Sequence, residues 1–331
     1  MGDKKQLIYH LVSLIPSGKV MTYGQISRFL KVNSARAVGQ ILHQNKDPEI
    51  PCFKVVFADG SLSKNYGFGG EKKQKEFLEK DGVVFEQEEK PYIFQCDRHK
   101  KCKVALKKCL WRPTKVLGLY FQLLEKFGFP GPWPWFQSRV RGSEGERSHS
   151  KEEIVIGAVL TQNTNWYNVE KATANLRKSG GDTLFGIYTL GKINFEDLRN
   201  LIKPSGFYNQ KAERLFNLAK FIIDSYCELQ NFSLLSLKEA REKLLSLKGI
   251  GEETADTILL YAAEKPIFVI DNYTKRFFQR YFADLPSFYD RAKMEGYLTL
   301  QKFFMDNLPL NTKIFQDYHA LIVKWGKTDK N

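Results

Sequence analysis

A mainly α protein of two helical domains is what this sequence predicts. Apolar residues recur at the three-and-four spacing of amphipathic helices, few runs alternate with the period of two that a half-buried strand needs, and Gly and polar turns punctuate the helical stretches. At 331 residues, 43% of them hydrophobic, the chain is long enough to bury two ordinary cores.

The first segment, residues 1–88, shows helical periodicity over Lys4–Leu14, Tyr23–Leu30, Ala35–Leu42 and Lys72–Lys80. Short Gly- and Asp-bearing turns and the apolar run Phe53–Phe57 lie between them, which predicts a small helical domain with a strand or wing. Residues 89–115 are dense in Lys and Arg, hold Cys96, Cys102 and Cys109, and read as a basic connector. From 116 to 331 long amphipathic patterns follow one another, over Glu152–Leu160, Val169–Leu176, Lys211–Ile223, Leu237–Leu247 and Thr254–Ala263. This part should be almost entirely helical, interrupted by the polar loop Gly142–Ser150 and by the Gly-rich hairpin Lys248-Gly249-Ile250-Gly251.

With 51 Lys and Arg against 37 Asp and Glu, the formal charge is +14. Such a surface favours a polyanionic partner, because Lys and Arg that neutralise phosphates release counterions; a merely basic enzyme is the bland alternative. His10 and Ser13 interrupt the first apolar stretch, and Gln6 stands where a myristoylation signal wants Ser or Thr. No membrane partner is expected; a cytoplasmic monomer is. The five cysteines are an odd, unevenly spaced set, which argues for reduced thiols. Cys96, His99, Cys102 and Cys109 have donors a zinc ion accepts, but not the spacing of a standard finger, so incidental cysteines in a basic stretch are the better reading and no metal is expected.

Two glycines between amphipathic helices, in Leu244-Leu-Ser-Leu-Lys-Gly-Ile-Gly-Glu-Glu-Thr-Ala-Asp256, let a backbone turn tightly and approach a partner closely. Amides of such a turn and the following helix N-terminus can grip a phosphate without reading a base; a plain corner between helices is the alternative. One helix later, Val269-Ile270-Asp271-Asn272-Tyr273 sets a carboxylate on an apolar approach, as a functional group or as a helix cap.

Together with Leu160-Thr-Gln-Asn-Thr-Asn-Trp166 and Pro204-Ser-Gly-Phe-Tyr-Asn-Gln-Lys211, this pairing resembles the helix–hairpin–helix DNA glycosylases of the endonuclease III superfamily, most closely their 3-methyladenine DNA glycosylases. The resemblance implies an all-α glycosylase domain in which Asp271 is the catalytic carboxylate, supporting positive charge on the deoxyribose and helping water attack. It implies DNA contact by Lys248, Gly249, Ile250 and Gly251, and by Gln162, which would fill the gap left by a flipped nucleotide or, more blandly, cap a helix. Trp133 and Trp135 match an aromatic part of the base pocket, where stacking on a cationic purine and ordinary core packing are equal readings. Glu253 occupies the position of the nucleophilic Lys of bifunctional members, so base removal without lyase chemistry is expected. No cysteine follows Cys227, so no iron–sulfur cluster is expected, and Leu321 stands where relatives carry a pocket lysine.

At the other end, Leu14-Ile-Pro-Ser-Gly-Lys-Val-Met-Thr-Tyr-Gly-Gln-Ile26, Ala35-Arg-Ala-Val-Gly39, Ile50-Pro-Cys-Phe-Lys-Val55 and Asn65-Tyr-Gly-Phe-Gly-Gly70 resemble the DNA-binding domain of O6-alkylguanine-DNA alkyltransferases and alkyltransferase-like proteins. That family implies a winged helix–turn–helix that binds the minor groove and flips the alkylated guanine. Arg36 would fill the vacated stack, Tyr23 would assist flipping, and Asn45 and Tyr66 would line the pocket. Cys52 sits where the alkyl-accepting cysteine belongs, with Asp81 for the later acid but Phe53 where the proton-drawing His is expected, which leaves slow alkyl transfer level with lesion sensing. The expected whole is a repair protein for double-stranded DNA carrying alkylated bases: a monofunctional N-glycosylase joined to an O6-alkylguanine-recognising module. A suicide methyltransferase, a mismatch glycosylase and a non-catalytic lesion binder are the alternatives.

Overall fold

The computed structural model describes residues 4–86, 102–130, 150–283 and 296–328. Two compact units divide the chain, Met1–Phe129 and Pro130–Asn331. Both are helical, as the periodicity predicts.

In the first unit, α1 (Lys4–Ser13) buries Leu7, Ile8, Leu11 and Val12 on one face. Thr22 and Gln25 close a capping box that starts α2 (Tyr23–Phe29), and Ser34 caps α3 (Ala35–His43). The apolar run Phe53–Phe57, expected as strand or wing, becomes a 3-10 turn over Cys52–Lys54 and a two-residue strand β2 (Val55–Val56) parallel to β1 (Met21–Thr22). A backbone at φ 114° at Gly69 leads into α4 (Gly70–Lys80).

The connector expected over 89–115 is, in its described part, a built piece of this unit. Val104 and Cys109 are buried in one apolar cluster with Val20, Val56, Leu62, Leu78 and Val83. Backbone bonds tie the segment in, Val20 N to Cys109 O at 2.9 Å and Trp111 N to Val20 O at 2.8 Å, around the short α5 (Leu106–Cys109). α6 (Lys115–Phe127), which periodicity assigns to the second domain, packs on α1 instead, with Lys4 against Glu125 at 2.6 Å and His10 against the Tyr120 hydroxyl at 2.9 Å. The unit boundary therefore falls after Phe129, not at 115.

In the second unit, Ser150 and Glu153 form a capping box for α7 (Lys151–Leu160), which is buried continuously from Glu153 to Leu160 and so is the central helix. Asn165, Thr183 and Asn194 cap α8 (Trp166–Lys178), α9 (Leu184–Ile193) and α10 (Phe195–Ile202). α11 (Tyr208–Tyr226) packs on α9 and α10, and the short α12 (Leu229–Ser233) leads to α13 (Leu237–Leu245). The hairpin joins α13 to α14 (Glu252–Thr257), which widens into a π-turn over Ile258–Ala262. The unit closes with α15 (Asn272–Tyr281), α16 (Tyr297–Asp306) and the largely buried α17 (Thr312–Thr328). Among the described residues no helix is long and apolar enough to cross a membrane.

Candidate active site and nucleic-acid interface

Folding back at the hairpin needs Gly249. Its φ is 87°, and a Cβ there would lie 2.3 Å from Nε of Arg214, whose side chain packs over the turn. Ile250 anchors the loop at 5% exposure, while the Lys248 side chain is 88% exposed. Behind the turn the Arg241 guanidinium forks onto the fully buried Asp256, with Nε at 2.7 Å and Nη2 at 3.1 Å, and Gln301 bridges Asp256 to the Phe268 carbonyl. That network joins α13, α14, α16 and the strand-like approach Phe268-Val269-Ile270, fixing where the approach ends.

It ends at Asp271, which caps a helix with one oxygen and sets the other at a cavity. Oδ1 caps α15 by accepting from Thr274 N at 2.7 Å. Oδ2 lies 3.5 Å from Nε2 of His319, and the side chain keeps 15% exposure. A cavity of about 790 Å³ opens here, lined by Asp271, Glu253, Tyr261, His319, Trp166 and Gln162 among others. Burial by itself would raise the pKa of Asp271, but the His319 imidazole and the Thr274 donors outweigh it and hold the carboxyl below its ordinary value. Glu253, although exposed, is pushed the other way, first by partial desolvation at the cavity rim and then by the charge of Asp271.

Gln162 also lines the cavity, but its amide is engaged. Nε2 donates to Gly249 O at 3.1 Å and to Thr254 Oγ1 at 2.9 Å, and Arg214 donates to Oε1. Lys211, fully buried on α11, donates to the Leu160 and Ser205 carbonyls at 2.8 and 2.7 Å; burial and then Arg214 bring its pKa down to about 8. Lys211 thus fastens the end of α7, from which Gln162 projects.

Trp133 and Trp135 lie outside the described residues. Aromatic walls not expected from the sequence include Trp166, whose indole donates to Glu170 at 2.9 Å, Tyr167, Tyr273 and Tyr261, the last placed by the π-turn. Helical spacing contains a usable signal for one further wall: His319, Val323 and Lys327 follow at intervals of four and line the cavity from one face of α17. Leu321, expected as the altered pocket position, is fully buried and is not a cavity-lining residue, whereas Lys327 is one.

In the first unit, Cys52 is 5% exposed and accepts from Asn45 Nδ2 at 3.3 Å. Burial, only partly offset by Asn45, pushes its thiol up to about 11. Near it stand Tyr66, raised to about 12 by burial and then by Cys52 and Tyr23, and Tyr23, raised by burial and hydrogen-bonded to Ser63. Phe53 packs on Phe77 and against the apolar cluster, so the place expected for an imidazole belongs to the core. Asp81 is fully engaged: Oδ1 pairs with the buried Lys54 at 2.8 Å and Oδ2 accepts from Gly18 N at 2.9 Å. Arg36, in the first turn of α3, is exposed.

Of the four possible zinc donors, Cys96 and His99 lie outside the described residues. Cys109 is committed to the core, accepting from Val84 N at 3.3 Å, which corrects its place in that set. Among the described residues no group of three or more His, Cys, Asp and Glu side chains is placed to hold a metal ion.

Comparison with known proteins finds a different family in each unit. Residues 3–83 match the family model of the 6-O-methylguanine DNA methyltransferase DNA-binding domain, and residues 156–296 that of the HhH-GPD superfamily base excision DNA repair proteins. A Methanocaldococcus jannaschii protein named "Putative DNA repair glycosylase" is 39% identical over 214 residues, 64% of this chain and 87% of its own. Alkyltransferase-like protein 1 of Schizosaccharomyces pombe is 35% identical over 108 residues, 32% of this chain and 92% of its own. Among solved structures, the 3-methyladenine DNA glycosylase of H. pylori bound to 1,N6-ethenoadenine superposes with TM-score 0.50 at 29% identity, covering 66% of this chain and 96% of that one. The chain belongs to the HhH-GPD superfamily of base excision DNA repair glycosylases and carries an N-terminal alkyltransferase-like DNA-binding domain.

Proposed function

We propose that the second unit is a monofunctional N-glycosylase for alkylated purines, with Asp271 as its catalytic carboxylate, and that the first unit recognises O6-alkylguanine without accepting its alkyl group. The observation that carries the first part is the pose of Asp271: one oxygen is spent on capping α15, and the other remains at a cavity walled by Glu253, Trp166 and Tyr261. A flipped purine made cationic by alkylation suits such a site, because aromatic faces and carboxylates both attract it, and its bond to the sugar is already weakened. The substrate proposed first is 3-methyladenine, which the H. pylori relative's name also gives.

In the step itself the base departs with the electron pair of its bond to C1′. Asp271 supports the positive charge left on the sugar, then takes a proton from the water whose oxygen bonds to C1′. Glu253 offers no amine for a Schiff base, so the strand stays intact. The hairpin Lys248–Gly251 would hold phosphate through its amides, and Gln162 would enter the emptied stack by exchanging its bonds to Gly249 and Thr254.

In the first unit, Arg36 on the exposed start of α3 would replace the flipped guanine, with Tyr23, Asn45 and Tyr66 around the alkyl group. A thiol at about 11 is thiolate in only about one molecule in ten thousand at neutral pH, too few for efficient transfer. Incubation with methylated duplex DNA tests the whole reading. Release of 3-methyladenine without strand breaks before alkali and with Cys52 unmodified in the peptide map is expected. Retention of all methylated purines, a borohydride-trapped adduct, or a methylated Cys52 would overturn the corresponding part.

A further inference from the structure

One side chain beside the cavity oxygen of Asp271 has no part in the proposed chemistry. His319, 7% exposed, reaches Asp271 Oδ2 with Nε2 at 3.5 Å and meets the Tyr261 hydroxyl with Nδ1 at 2.7 Å. We propose that His319, held by Tyr261, is the positioning residue that aims the cavity oxygen of Asp271 and keeps that carboxylate charged until the base has left. The inference rests on the reading of Asp271 as the catalytic carboxylate.

Proton placement along the chain argues for this role. The Tyr261 hydroxyl has one proton, and Nδ1 at 2.7 Å lies nearer to it than the Gln316 carbonyl at 3.3 Å. Given to the nearer Nδ1, that proton leaves the hydrogen of a neutral ring on Nε2, facing Asp271. The opposite tautomer would set a nitrogen lone pair against a carboxylate, which is repulsive. The contact at 3.5 Å is long for a hydrogen bond, so its effect is that of an N–H dipole or imidazolium charge in a poorly hydrated place. Two features make the arrangement specific. The π-turn is where the Tyr261 hydroxyl is delivered, and such widened turns recur at functional sites. His319 also shares its α17 face with Val323 and Lys327, so it looks into the cavity instead of the core.

Without the imidazole, burial acts on Asp271 unopposed except by Thr274, and the carboxyl protonates at higher pH. The other titratable and charged groups around this place are Tyr261 from the π-turn, Glu253 from α14, Lys275 from α15, and Asp317 and Lys327 from α17.

The test compares parent, His319→Ala, His319→Gln and Tyr261→Phe in single-turnover release of 3-methyladenine and in binding to a duplex with an abasic-site analogue. Carboxyl carbon NMR titration of Asp271, assigned with Asp271→Asn, is run alongside. His319→Ala should slow release about 30-fold or more while Kd stays within about threefold, and should move both the acid limb of the rate and the Asp271 titration up by about one pH unit. His319→Gln, which keeps a donor towards Oδ2, should recover most of the rate, and Tyr261→Phe should fall between. Release within twofold of the parent, an unmoved Asp271 titration, or a rate loss matched by a loss of folding in all three variants would overturn the proposal. Should the parent itself release no methylated purine, the glycosylase reading fails, and the NMR titration still decides whether His319 governs Asp271.

Discussion

Two carboxylates face the same cavity, and their surroundings drive them apart. Asp271 is held ionised by His319 and Thr274, whereas Glu253 is pushed towards its protonated form by partial desolvation and by Asp271. A carboxyl whose folded pKa is raised contributes stability below its unfolded value, and loses it as pH rises through the folded value. Ionised Glu253 is therefore a cost at neutral pH. Because Glu253 is exposed and solvent screens most of this cost, Glu253→Gln should raise the melting temperature of the second unit at pH 7 by only about 1 °C or less, with the gain vanishing near pH 4; differential scanning calorimetry at both values checks it, and a gain independent of pH would contradict the electrostatic account. Sequence alone could place Asp271, because an acid after an apolar approach requires a reason, and could see that Glu253 is not an amine. It could not see His319 beside Asp271: the two are 48 positions apart, brought together only by the docking of α15 on α17.

Elements were legible where pattern and punctuation agree. The helices α1, α2 and α3 follow their apolar spacing, the last two beginning at Thr and Ser caps, whereas α7, expected to be amphipathic, starts at its Ser cap but is buried on every side from Glu153 to Leu160. The hairpin was legible for the same reason, since a pair of glycines between helices has few uses. What spacing could not reveal was the π-turn, a widening by one residue that leaves the apolar pattern almost unchanged, or the partner of α6, whose apolar face fits either unit as a pattern and was settled by packing on α1. Gly249 links this scale to the proposed DNA contact. Alanine there must adopt φ near 87° and displace Arg214, the side chain that also steadies Gln162. Gly249→Ala should cost about 1–2 kcal/mol of stability and weaken binding to undamaged duplex about five- to tenfold. Equal Kd values for the variant and the parent, measured by fluorescence anisotropy, would argue against the hairpin as a DNA contact.

Across the whole molecule, the two units present two different polar settings for the recognition proposed of each. The first has a buried, protonated thiol beside Asn45 and Tyr66, its acid Asp81 tied to Lys54; the second has an ionised carboxylate at an aromatic cavity. Most of the formal charge of +14 falls on residues 1–129, which favours the phosphate backbone as a partner of the first unit above all. Domain content was legible from motifs, but the boundary was not, because the basic composition of 89–115 resembles a linker while Val104 and Cys109 complete the first core. The division of labour makes a sharp demand on the intact chain: all base release should depend on the second unit's acid and none on the first unit's thiol. Single-turnover release of 3-methyladenine from methylated duplex by the parent, Asp271→Asn and Cys52→Ser tests this directly. The account predicts a loss of about a hundredfold or more in Asp271→Asn with DNA binding retained, and an unchanged rate in Cys52→Ser. A rate within a few-fold of the parent in Asp271→Asn, or a matching loss in Cys52→Ser, would contradict it.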